Sequence, residues 1–148
     1  MNIPNIGYAT RQSASSTVNL AYRSITCSPT SGNVPTVVYL PGLLRTWGGL
    51  KAQVLEAECP RLGLNYLSLH YQGHGHGLSA ADSTVVPSSS NKIEEIRSLE
   101  EWILDIETVL DSVIGTASSS GQHLILVGSS LGAWLGLHVN LRRRKVSF

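Results

Sequence analysis

Three short apolar runs, TVVYL at residues 36–40, NYLSLHY at 65–71 and HLILVG at 123–128, are separated by segments long enough for helices. This spacing limits the fold more than any other feature of the chain. Each run is rich in β-branched or large apolar residues and reads as a strand, TVVYL as one buried on both faces and HLILVG as a buried strand. Residues 50–62 place Leu50, Val54, Leu55 and Cys59 on one side of a helix that Pro60 to Gly63 ends. Ser98 with Glu101 forms a capping box that opens a second helix, striped by Leu99, Trp102, Ile103, Ile106, Leu110 and Val113 and closed at Gly115. A third helix runs from Leu131 to about Arg142. Such alternation is the signature of right-handed βαβ units and an α/β fold, a mostly parallel sheet with helices on both faces. Upstream, VNLAYRSI at 18–25 alternates with period two as a half-buried strand, and TSGNVP at 30–35 is a loop. Residues 73–97 are rich in Gly, Ser and Pro and too long for a tight connection, which marks a surface insertion.

Chemistry in such sheets sits at the carboxyl ends of the strands. Three glycine-bearing turns fall there and are expected to converge: LPGLL at 40–44, YQGHGHG at 71–77 and VGSSLG at 127–132. Gly-x-Ser-x-Gly is weak as a bare pattern, and a plain Gly-Ser turn between strand and helix is its alternative reading. Its context is stronger, because a strand ends at Gly128 and a helix begins after Ser130. Ser130, unlike Ser129, has glycine two residues away on both sides. Small residues there let the strand and helix backbones approach, and the sharp turn lifts the serine hydroxyl clear of the sheet. Ser130 is the candidate nucleophile. A nucleophilic serine also needs backbone donors for the developing oxyanion. By position these are the N–H groups of Leu131 and of Leu43, the latter presented by a turn at Gly42.

Composition removes several function classes. With 11 Lys and Arg against 10 Asp and Glu, the net charge of +1 gives no nucleic-acid footprint. No apolar run approaches the roughly 20 residues needed to span a bilayer. Cys27 and Cys59 are too few for a disulfide framework and read as ordinary half-buried thiols. The first acidic residue is Glu56, and Ser and Thr abound before Gly32. That composition is like a transit segment, so residues 1–17 are expected to be a flexible N-terminus. His70, His74 and His76 invite general-base or metal readings, but the glycines around them favour a simple turn, and no metal is expected. GHGHG lacks the Lys-Ser/Thr of a phosphate loop, and no cofactor is expected.

PTVVYLPG, GGLKAQVLEAECPRLGLNYLSLHYQGHG and LILVGSSLGAWLGLH together resemble the N-terminal half of an α/β-hydrolase of the serine-hydrolase type. Within that superfamily they resemble the mitochondrial palmitoyl-protein thioesterase and acyl-glucuronide esterase group, over residues 18–140. The resemblance implies that Ser130 is the nucleophile and that Leu43 and Leu131 frame the oxyanion hole, with Gly42, Gly128 and Gly132 supporting the turns. Tyr71 to Gly75 match a Y-x-G-x-G turn, whereas His70 stands where the family usually has Asp and RTWGG replaces a more polar loop. The implied substrates are small-molecule or protein-linked acyl esters or thioesters, with mitochondrial placement ahead of cytoplasmic. In this fold the triad acid and His follow the serine. After Ser130 there is no acidic residue and one histidine, His138, eight residues on. Along a helix that is a rise of about 12 Å, beyond reach of the hydroxyl. The chain is therefore expected to be a truncated hydrolase domain over 18–142 with a solvated basic tail at 143–148 and LILV at an exposed sheet edge. The alternative to a hydrolase is an inactive form that binds an acyl ligand or a partner.

Overall fold

All five residues of β3 (Thr36–Leu40) are buried, because the strand has a parallel neighbour on each side and helices on both faces. The computed structural model describes residues 4–13, 17–27, 34–43, 48–72, 97–115 and 123–145. Its other elements are β1 (Asn5–Gln12), β2 (Thr17–Ile25), α1 (Leu50–Arg61), β4 (Asn65–Leu69), α2 (Leu99–Ile114), β5 (Leu124–Gly128) and α3 (Leu131–Lys145). The sheet order is β1-β2-β4-β3-β5. β3 pairs in parallel with β4 and β5, while β2 runs antiparallel to both β1 and β4.

From β3 the chain passes through α1 to β4 on one side, then through α2 to β5 on the other. Right-handed crossovers running in opposite directions place their helices on opposite faces, and the packing shows it. Val37, Tyr39 and Tyr66 meet Ala52 and Cys59 of α1 on one face. Val38, Leu40, Leu67 and Leu69 meet Ile106 and Leu110 of α2 and Leu135 and Val139 of α3 on the other. The direction of winding reverses at β3, so the crevice open to a ligand lies beyond the carboxyl ends of β3 and β5.

Four expectations are corrected. Within the segment expected to be flexible, residues 5–12 form β1, paired with β2 from Asn5 opposite Ser24 to Gln12 opposite Thr17. Pairing rather than apolar pattern makes this strand: Ala9 reaches the core, and the ring of Tyr22 lies over Gly7 across the ladder. In α1, Leu50 and Val54 are 76% and 51% exposed. The buried face instead runs through Ala52, Leu55 and Cys59, a true three-and-four spacing. β5 is not the buried strand expected. It lies at the edge of the described sheet, where Ile125 is 44% exposed, and a groove of about 420 Å³ runs beside it, lined by Leu124, Leu126, Gly136 and Leu137. Finally, α3 continues to Lys145, and the basic cluster is not simply solvated. Arg142 bonds Glu100 at 2.7 Å and Arg143 bonds Asp111 at 2.8 Å, both on α2. Residues 146–148 of the expected tail lie outside the described residues. No described helix is long and apolar enough to cross a membrane.

The α2 capping box forms as expected: the Glu101 N–H donates to Ser98 Oγ at 3.2 Å, and the Ser98 N–H donates to Glu101 Oε2 at 3.0 Å. The second bond holds the Glu101 carboxyl below its ordinary value. A carboxylate with a lower pKa folded than unfolded stabilises above the unfolded value and loses that contribution as pH falls through the folded one. Glu101→Gln is expected to melt below wild type at about pH 7, with the gap closing by about pH 3. A gap independent of pH would show that the carboxylate charge adds nothing to the cap.

Candidate active site

The turn between β5 and α3 is built on its neighbour β3. The Ser129 N–H donates to Leu40 O at 3.1 Å, which carries the β3–β5 pairing one residue past the strand. The chain then reverses at Ser130, whose φ of 54° is the only positive value of a non-glycine among the described residues. The helix starts at once: the N–H groups of Ala133 and Trp134 donate to Ser130 O at 2.9 and 3.3 Å. A left-handed serine costs on the order of 1 kcal/mol and persists only where its surroundings hold it.

Missing side chains supply that hold. A Cβ on Gly128 would overlap the backbone of Ala133, and one on Gly132 would overlap the carbonyl oxygen of Leu40 and stand 2.6 Å from that of Pro41. The start of α3 therefore rests directly on the end of β3. A Cβ on Gly42 would lie 2.9 Å from Ser129 O and 3.5 Å from Ser130 Cβ, so the turn after β3 abuts the serine. Gly42, Gly128, Ser130, Leu131 and Gly132 thus lie together, with Leu43 one residue from the contact. Neither the Leu43 N–H nor the Leu131 N–H has a hydrogen-bond partner among the described residues.

Behind this surface is a polar frame. The hydroxyl of buried Tyr71 donates to Pro41 O at 3.0 Å, and burial pushes its phenol well above the ordinary value, so it stays a donor. The next residue, Gln72, donates its N–H to Asp105 Oδ2 at 2.8 Å and accepts at its carbonyl from Trp102 Nε1 at 2.9 Å. Asp105 is fully buried on α2 and takes Arg11 of β1 through Nε at 3.0 Å and Nη2 at 2.6 Å. Sequence reasoning assigned no role to Tyr71, Asp105 or Arg11. The available signal was an acidic residue inside the apolar face of α2, between Trp102 and Val109. Lys51, in the first turn of α1, donates to Ser129 Oγ at 3.0 Å.

Among the described residues, no hydrogen bond links a histidine to Ser130. His138 lies against Trp134 on α3, with ring centroids 3.8 Å apart. His70 follows β4, its backbone N–H donating to Ala21 O at 3.1 Å. His74 and His76 lie outside the described residues.

No protein-family model matches the chain. Among curated proteins it is similar to the mitochondrial palmitoyl-protein thioesterase ABHD10 of Mus musculus, 33% identical over 125 residues that cover 84% of this chain and 34% of that protein. The Homo sapiens counterpart is 32% identical over 84% of this chain and 33% of its own length. Among solved structures, alpha/beta hydrolase domain-containing protein 10 from mouse superposes with a TM-score of 0.66 at 28% identity, over 95% of this chain and 46% of that one. A protein of Agrobacterium vitis S4 gives 0.73 at 22% identity, over 99% and 48%. The chain spans about a third of the length of the curated relatives it matches.

The close contact at Gly132 generates a test. Gly132→Ala is expected to lower stability by about 3 kcal/mol, the upper end for an overpacked site, read as a drop in the urea midpoint. An unchanged midpoint would mean that α3 does not depend on resting against Leu40 and Pro41.

Proposed function

We propose that this chain, which has the α/β-hydrolase fold, carries the nucleophile and oxyanion side of a serine hydrolase acting on acyl esters or thioesters. The observation behind this reading is Ser130, an exposed hydroxyl on a strained left-handed turn between strand and helix. That is the arrangement a nucleophile elbow requires. Ser130 Oγ attacks the acyl carbonyl carbon, and the carbonyl oxygen, gaining charge, takes hydrogen bonds from the Leu43 and Leu131 N–H groups. The tetrahedral adduct collapses with loss of the alcohol or thiol, and water then hydrolyses the acyl-enzyme. The thioester class and a mitochondrial placement are taken from the likeness to palmitoyl-protein thioesterases.

The proton on Ser130 needs an acceptor, and among the described residues no histidine bonds it. His138, eight residues on, is packed on Trp134. That arrangement favours a second reading, in which the site as described binds an acyl group and reacts once at most. Oxyanion donors and binding alone retain part of the catalysis of a full triad.

Reaction with a fluorophosphonate, followed by intact mass, separates these readings. One phosphonyl adduct per chain is expected, absent in Ser130→Ala. Steady release of thiol from a palmitoyl thioester would support the hydrolase reading, and an adduct without release would support the binding reading. Equal labelling of wild type and Ser130→Ala would remove Ser130 from the chemistry.

A further inference from the structure

We propose that Tyr71 is a positioning residue whose hydroxyl sets the Pro41–Gly42 peptide plane, one residue before the Leu43 N–H that is presented to the oxyanion. The proposal rests on reading Ser130 as the nucleophile and Leu43 as an oxyanion donor. It concerns how that donor is held in place.

The chain after β3 keeps few freedoms. The ring of Pro41 fixes its φ, and its ψ is set by where its carbonyl points. That carbonyl is held on two sides: the Tyr71 hydroxyl donates to it at 3.0 Å, and the backbone of Gly132 lies against the same oxygen. Gly42 then fits against Ser129 and Ser130 with no room for a side chain. Only the φ and ψ of Gly42 then separate the held plane from the Leu43 N–H. Tyr71 is itself anchored, its ring set against Trp102 with centroids 6.2 Å apart. Gln72 beside it is clamped by Asp105 and Trp102. Without the hydroxyl, the buried Pro41 carbonyl has lost its donor and the peptide plane turns to seek another. A backbone donor displaced in this way no longer meets the oxyanion at bonding distance.

Tyr66 provides a matched control. It is as buried as Tyr71, at 1% against 2% exposed, and its hydroxyl donates to a backbone carbonyl, Ala52 O, at 3.2 Å, away from the turn after β3. Tyr71→Phe and Tyr66→Phe each remove one buried phenol hydroxyl from one carbonyl and are expected to lower the melting temperature alike. Two readouts separate them. In fluorophosphonate inactivation, Tyr71→Phe is expected to lower kinact about tenfold with KI unchanged, while Tyr66→Phe reacts as wild type. In amide NMR spectra, the Gly42 and Leu43 resonances are expected to shift in Tyr71→Phe alone. Unmoved Gly42 and Leu43 amides in Tyr71→Phe overturn the proposal whether or not Ser130 reacts. If wild type reacts at Ser130 and Tyr71→Phe keeps its kinact, the proposal falls while the nucleophile reading stands. If the amides shift and wild type shows no Ser130-dependent reaction, the nucleophile reading falls and takes the catalytic purpose of Tyr71 with it.

Discussion

The first turn of α3 lies directly on the carboxyl end of β3, backbone against backbone, and the rest of the site follows from that contact. Leu40 takes part in it twice: its carbonyl accepts the Ser129 N–H, and the same oxygen leaves no space for a Cβ on Gly132. Gly128 permits the matching approach on the other limb of the turn. With strand and helix this close, the chain between them has two residues in which to reverse, and Ser130 takes a left-handed conformation that an isolated peptide would avoid. The strain is local and modest, and the parallel pairing of β3 with β5 and the seating of α3 on the core offset it. Gly42 completes the arrangement by bringing the turn after β3 against the serine.

The polar frame behind the turns ties this small site to distant parts of the chain. Arg11 comes from the N-terminal hairpin, Asp105 from the middle of α2, and Gln72 from the turn after β4. A carboxylate with no exposed surface is costly to bury, and it is tolerated because both its oxygens accept hydrogen bonds. Such a pair contributes less to stability than an apolar substitute of the same shape. Its consequence is geometric, since it fixes the Gln72 backbone next to the residue that reaches Pro41. β1 is thus part of the support for the site. By contrast, the exposed pairs of Arg142 and Arg143 with α2 are individually worth little, and their effect is to align the end of α3 along its neighbour.

The architecture was legible in the chain because its signals are local. TVVYL, NYLSL and LILVG are strand-like by composition, the Ser98 and Glu101 pair marks the start of α2 within one turn, and glycines two residues either side of Ser130 mark a place where strand and helix can close tightly. These features act through sterics and short-range hydrogen bonds, which a sequence displays directly. The resemblance to α/β-hydrolases rested on the same segments, and the fold agrees with it.

Other features depended on which surfaces meet, and only the tertiary structure decided them. β1 is a strand because β2 offers it a ladder, not because its own pattern is apolar. The buried face of α1 was chosen by the sheet it covers, which turned Leu50 and Val54 outward. Asp105 broke the apolar face of α2 in plain view, yet its meaning depended on Arg11 and Gln72, 94 and 33 residues away. Tyr71 looked like the end of a strand until the fold set its hydroxyl on Pro41, 30 residues back. By itself the sequence determined β2 to β5, the helices and the sharp turn at Ser130, since each is settled within a few bonds. Only the fold decided what stands beside that serine, because contacts between distant segments depend on the packing of whole elements, to which local sequence is blind.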